Sequence, residues 1–336
     1  MTDPGSNNLM RVMVLQGAGE KLQLEKRKIP QPESYEVLVK VAACGVCRTD
    51  LHVQDNELPK ISYPVIPGHQ VVGNVVATGA ESILLPGTQV GITWLAQTCG
   101  ECEYCKSGRE NLCDKARFNG YQVDGGFAEY MLADSRFCFP LATSLSPAIT
   151  TPLLCAGLIG YRSLRMAGNA KHIGIYGFGS AAHIITQVAL HEKRKIYAFT
   201  RPGDEAAQEF ALRVGATWAG DSSQPAPEKL DAALIFAPDG SLVPKALKDL
   251  KKGGVVVCGG IHMSNIPTFP YADLWEERQI RSVANLTRTD GSEFMALACH
   301  TPIHPEITTY PLEAANTALD DLRNGVINGT AVLVMD

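Results

Sequence analysis

"IGIYGFGSAAH", residues 173–183, settles the architecture of the second half of the chain. A short apolar run ends in Gly177 and Gly179, and the apolar pattern "AAHIITQVAL" follows at helical spacing. Gly177 allows a tight turn. Gly179 lets the backbone approach a pyrophosphate, which a helix N-terminus then attracts. Ala182 stands where this pattern accepts Gly or Ala. The same spelling occurs in glycine turns that hold nothing, but the strand–turn–helix context favours a dinucleotide.

Reading outward, residues 171–216 alternate strand, glycine turn, helix, strand, turn and helix. "LDAALIFAP" (230–238) and "GGVVVCGG" (253–260) add further strand-like runs. Such alternation implies a parallel sheet with helices on both faces, the Rossmann arrangement. The strand "KIYAFT" ends in Thr200 and Arg201. An acidic residue there would hold the ribose 2'-hydroxyl of NAD. A hydroxyl and a guanidinium suit a 2'-phosphate instead, so NADP(H) is favoured over NAD(H).

Residues 9–135 follow a different grammar. "YEVLVKVAA", "YPVIPGHQVVGNVVATG" and "GTQVGITWL" are strand signals separated by Gly and Pro turns, which predicts a β-rich domain. The chain closes on a helix and a strand in 306–336. Domains are expected over 1–153 with 297–336, and over 154–296.

Ten cysteines occur, unevenly spaced. "CGECEYCKSGRENLC" sets Cys99, Cys102, Cys105 and Cys113 within one short lobe, enough to close a tetrahedral structural zinc site with no open position. Iron–sulfur ligation is the minority alternative. "AACGVCRTDLH" (42–52) is more ambiguous. Its Cys44 and Cys47 have the spacing of a redox pair or half a zinc knuckle, while Thr49 and Asp50 could simply cap a helix.

The 336 residues are 45% hydrophobic and 19% charged, with a net charge of -5. No basic footprint calls for nucleic acid or an anionic membrane, and no apolar run reaches the roughly 18 residues of a membrane span. The N-terminus lacks a signal-peptide pattern, so a cytoplasmic protein is expected.

The stretches "GVCRTDLH", "IPGHQVVG", "DGGFAEY", "LLCAG" and "GIYGFG", with the cysteine lobe between them, resemble the zinc-dependent alcohol dehydrogenases of the medium-chain dehydrogenase/reductase superfamily. The likeness runs over nearly the whole chain. It implies a GroES-like catalytic domain beside the Rossmann domain, and two zinc ions per chain, one catalytic and one structural. By resemblance Cys47, His69 and Cys155 hold the catalytic zinc, leaving a fourth position for substrate. Thr49 would bridge the reacting oxygen toward the cofactor ribose, and His52 would pass the proton to solvent. Asp50 would orient His69, and Arg48 would meet the cofactor pyrophosphate. Trp94 and Leu95, with Leu286, would line the substrate pocket, narrowing it toward a primary alcohol or aldehyde.

Three departures from the family pattern stand out. Gln70 replaces the usual Glu after the histidine, Ile159 falls where relatives often have a threonine, and Thr200 replaces an acid. The resemblance also implies a homodimer or homotetramer, with 264–270 ("SNIPTFP") as part of the joining edge. The alternatives are a zinc-less quinone reductase-like relative, or a non-catalytic dinucleotide-binding protein. The intact cysteine lobe and the retained Thr49 and His52 speak against both.

Overall fold

A computed structural model describes residues 8–142, 146–327 and 329–335. The chain divides into two compact units. The first comprises 1–155, 287–295 and 305–336, and the second 156–286 and 296–304.

The first unit begins with β1 (Leu9–Val14), β2 (Gln23–Lys28) and β3 (Glu36–Val46), followed by helix α1 (Arg48–Gln54). Next come β4 (Gln70–Thr78), β5 (Gln89–Ile92), β6 (Leu95–Gln97) and the single turn α2 (Glu103–Lys106). β7 (Arg117–Phe118), β8 (Tyr130–Asp134), β9 (Cys138–Pro140) and α3 (Pro147–Thr150) complete its first segment.

The second unit contributes α4 (Ala156–Met166), β10 (His172–Tyr176), α5 (Ser180–His191), β11 (Lys195–Thr200), α6 (Glu205–Val214) and β12 (Trp218–Asp221). It continues through β13 (Leu230–Ile235), α7 (Leu242–Asp249), β14 (Leu250–Cys258), α8 (Tyr271–Leu274) and β15 (Gln279–Ser282). The chain re-enters the first unit with most of α9 (Arg288–Ala298), passes through the second at 296–304, and ends in the first as β16 (Ile307–Pro311), α10 (Ala315–Arg323) and β17 (Thr330–Val334).

In the first unit β3 is the hub. It pairs antiparallel with β4, β8 and β17 in a seven-stranded sheet, while β1 and β2 form a separate ribbon. Val37, Val39 and Val41, at alternate positions on β3, are all buried in one apolar core with Val12, Val71, Val90 and Phe127. Alternation puts β-branched residues on one face of a pleat, where each contributes about 1.5–3 kcal/mol on burial. Register matters for the site, because β3 ends beside the start of β4, with Gly45 opposite Gln70.

The second unit is a six-stranded, all-parallel sheet in the order β12-β11-β10-β13-β14-β15. Counted within the unit this is 3-2-1-4-5-6, the dinucleotide-fold order, which reverses beside its first strand. β10 reads as a continuous apolar run because both faces of a parallel sheet are covered. Its Tyr176 stacks on Phe199 with ring centroids 4.2 Å apart, and its buried hydroxyl donates to Asp249 at 2.6 Å. Among the described residues no helix is long and apolar enough to cross a membrane.

Candidate active site and metal centres

Three donors converge in the first unit from separate parts of the chain. Cys47 follows the last residue of β3 and is the N-cap of α1. His69 precedes β4. Cys155 follows a 3-10 turn at Thr151–Leu154. Cys47 Sγ lies 3.2 Å from His69 Nε2, and one donor atom from each of the three residues falls within 4.8 Å of the others. Bond lengths of about 2.3 Å to sulfur and about 2.0 Å to imidazole require separations of this order around a tetrahedral zinc. Two sulfurs and one imidazole form a zinc donor set with one position to spare, so the residues fit the metal.

The backbone explains the convergence. At Gly68 φ is +96°, and an added Cβ would sit 2.5 Å from Phe127 Cδ1 and 2.8 Å from Cys44 Sγ, so only glycine can turn the chain into His69 here. Asp50 is buried and works in two directions. Its Oδ2 accepts the Cys47 N–H at 2.8 Å, and its Oδ1 accepts the Gly68 N–H at 3.2 Å. Oδ1 is also 3.3 Å from His69 Nδ1, within ion-pair range though off the line of a good hydrogen bond. The helix cap and the second sphere of the histidine are therefore one carboxylate.

The electrostatics suit a cation. Contact with Cys155 and with His69 holds the Cys47 thiol well below its ordinary value, although burial opposes this. The Cys155 thiol is pushed well up, first by that contact with Cys47 and then by burial. Burial raises Asp50. A dication relieves this crowding of buried anionic groups.

Cys44 takes no part in the convergence. It is fully buried, and burial, then the charge of Asp50, pushes its thiol well up. Gln70 is also fully buried, packed over Gly45, and its amide atoms have no hydrogen-bond partner among the described residues.

Four further cysteines gather in one lobe. Cys99 and Cys113 sulfurs are 3.5 Å apart, Cys102 and Cys105 3.5 Å, and Cys99 and Cys105 3.9 Å. The edge of a zinc–sulfur tetrahedron is about 3.8 Å, so this set fits a closed structural site. Backbone N–H groups of Glu101 and Cys102 lower the Cys99 thiol to about 6.

Around the open site, Arg48 is exposed and Thr49 half-buried on α1, while His52, three residues after Thr49, shares its helix face. The ring of His52 is mostly buried, and its Nδ1 contacts the carboxylate of Glu57. Trp94 is buried with its ring edge-on to His69 at 4.9 Å. Phe118 and Tyr121 pack on that indole at 5.2 and 5.5 Å. Leu95 is fully buried in β6. Sequence reasoning missed Glu57, Phe118 and Tyr121, since no spacing or motif marks them.

In the second unit Gly177, with φ of +90°, follows β10, and a Cβ there would come within 2.8 Å of the Ala237 nitrogen. Gly179 is the N-cap of α5, and a Cβ added to it meets nothing within 4 Å. That open approach to a helix N-terminus fits a pyrophosphate. At the end of β11, Arg201 is exposed, whereas Thr200 is buried. The Thr200 hydroxyl accepts from Gln208 Nε2 at 3.1 Å and points to the backbone oxygens of Arg201 and Gly220.

A zinc-type donor set in a β-rich unit, chained to a dinucleotide-type sheet, defines a metal-assisted dehydrogenase. Comparison with known proteins narrows that class. Residues 33–143 match the alcohol dehydrogenase GroES-like domain family. The chain is 45% identical over 319 residues to a probable alcohol dehydrogenase, AdhA, of Mycobacterium tuberculosis, covering 92% of this chain and 91% of that one. It is 33% identical to an alcohol dehydrogenase of Geobacillus stearothermophilus, covering 96% and 98%. Its fold is similar to the structure of CAD from Helicobacter pylori complexed with NADP(H), with a TM-score of 0.87 and 22% identity over 97% of this chain and 98% of that one. The chain belongs to the zinc-dependent alcohol dehydrogenases of the medium-chain dehydrogenase/reductase superfamily.

Proposed function

We propose that this protein interconverts primary alcohols and aldehydes by hydride exchange with a nicotinamide cofactor, preferring NADP(H). The observation that carries the reading is the convergence of one donor atom each from Cys47, His69 and Cys155 within 4.8 Å of one another, a set that would leave a fourth position on a tetrahedral zinc. The first unit is the zinc-binding catalytic domain and the second the cofactor domain. Zinc, when bound, supplies a Lewis acid that acidifies an alcohol or polarises a carbonyl, and nicotinamide supplies the hydride acceptor or donor.

The chain's own residues do the rest. Cys47, His69 and Cys155 hold the catalytic metal, and Asp50 fixes the His69 ring. Thr49 takes the substrate proton at its hydroxyl oxygen, and His52 carries it toward solvent. The indole of Trp94, stiffened by Phe118 and Tyr121, narrows the space beside His69 and favours a slim primary substrate. Cys99, Cys102, Cys105 and Cys113 hold a structural zinc. Gly177 and Gly179 admit the pyrophosphate, with Arg48 supplying charge. Arg201 is the group positioned for a 2'-phosphate. Thr200 supports it through the turn rather than by its own hydroxyl, which is already engaged.

The protein is a homodimer or homotetramer in the cytoplasm, joined through the exposed 264–270 segment and the edge strand β15. A zinc-less quinone reductase would have no use for either sulfur cluster. The test is steady-state turnover of a panel of alcohols and aldehydes with NADP(H) and NAD(H). A higher kcat/KM for primary substrates with NADP(H) supports the reading, and no turnover of any alcohol or aldehyde refutes it.

A further inference from the structure

We propose that Glu57 is the outlet of the proton relay: it fixes the ring of His52 and carries the proton from that buried ring to solvent. The inference rests on His52 being the relay histidine proposed above.

The geometry has three parts. The His52 side chain is 11% exposed, so its ring lies inside, whereas the Glu57 side chain is 49% exposed, so its carboxylate reaches water. The carboxylate meets His52 at Nδ1. A carboxylate there selects the tautomer with the proton on Nδ1 and leaves Nε2 as the acceptor. Finally, Glu57 is built into the end of the same helix. Its N–H donates to the His52 carbonyl at 2.9 Å, and Asn56, with φ of +58°, turns the chain back so that the carboxylate faces the ring. The neighbouring Asp55 takes the hydrogen bonds of Arg323 at 2.6 and 2.8 Å, so the guanidinium acts on Glu57 by charge alone while the Glu57 carboxylate meets His52.

The step balances. In alcohol oxidation the substrate O–H bond breaks, and its proton passes through the Thr49 hydroxyl to His52 Nε2. The Nδ1 proton moves to the Glu57 carboxylate and then to water. The oxidised nicotinamide, when bound, would supply the two-electron acceptor for the hydride lost from the adjacent carbon, which balances the oxidation of the alcohol. Glu57 touches neither substrate nor cofactor and acts through His52, so it is a positioning residue.

The experiment follows proton release with an indicator dye in single-turnover alcohol oxidation by parent, Glu57→Gln, Glu57→Asp and His52→Gln. Glutamine keeps an oxygen opposite Nδ1 but removes the charge. We expect Glu57→Gln to slow proton release about tenfold, leave the alcohol KM unchanged, raise the solvent deuterium isotope effect, and recover on addition of imidazole. Glu57→Asp, which keeps the charge, should retain much of the parent rate. Parent-like release by Glu57→Gln while His52→Gln is slow would overturn the inference alone. Equal slowing by Glu57→Gln and Glu57→Asp with no response to imidazole would assign Glu57 a purely structural role, and so overturn it too. Parent-like release by His52→Gln would instead remove the relay reading on which it rests.

Discussion

One carboxylate ties Cys47 to His69: Asp50 accepts the Cys47 N–H at 2.8 Å and lies 3.3 Å from His69 Nδ1. The start of α1 and the aim of a metal-binding imidazole are thereby fixed together. Asp50→Asn keeps an acceptor for the cap but loses the charge beside His69. We expect zinc affinity at the catalytic position to fall about 10–100-fold, while the melting temperature moves little. Asp50→Ala loses both functions and should also cost about 1 kcal/mol of stability. Competition with a chelating dye, beside thermal melts, separates the two effects.

Cys44 and Cys47 are separable despite their spacing. Cys44 is buried in the apolar core with Phe127, close to Gly68 and Gly126, and stands in neither donor group among the described residues. Cys44→Ala should retain both zinc ions and most activity, at a stability cost of about 1 kcal/mol typical of a small core truncation. An inactive, zinc-depleted Cys44→Ala protein would show that the thiol belongs to the site.

The four-cysteine lobe should be independent of the open site. Cys102→Ser is expected to remove one zinc per chain and lower the melting temperature, because structural zinc contributes directly to folding. The catalytic metal should remain. Loss of both metals at equal occupancy would contradict this separation.

An acid-side stability change is expected at Glu129, which holds β1 in place. Arg11 donates its N–H to Oε2 at 2.6 Å and its guanidinium to Oε1 at 2.9 and 3.0 Å. Burial works against the charge, but these donors prevail and lower the pKa of the carboxylate from its ordinary value. A folded pKa below the unfolded one, about 4.3, adds stability above that value. The contribution is lost as pH falls through the folded pKa. The melting-temperature gap between parent and Glu129→Gln should therefore be full at pH 7 and close as pH drops below about 4. A gap that widens in acid would reverse the sign.

What was legible in the sequence divides along physical lines. Gly177 and the four-cysteine lobe are local: backbone sterics and short spacings carry them, and β10, the turn and α5 fall where the pattern put them. The open metal site is not local. Cys47, His69 and Cys155 meet only because the end of β3 pairs with the start of β4 and a 3-10 turn returns the chain, so spacing alone left Cys44 and Cys47 indistinguishable and resemblance had to choose. Glu57 was invisible because its place depends on a positive φ at Asn56, and the packing of Phe118 and Tyr121 on Trp94 because it depends on tertiary stacking. Thr200 was read by residue type, but only the fold shows that its hydroxyl turns inward.

The central claim is that Cys47, His69 and Cys155 hold a zinc on which alcohol turnover depends, apart from the zinc of the cysteine lobe. Its most direct test is the zinc content per chain of parent and Cys47→Ser, measured on the same preparations as alcohol turnover. We expect two zinc ions in the parent, and in the variant one, with the fold retained and turnover abolished. Two zinc ions and full turnover in Cys47→Ser would contradict it.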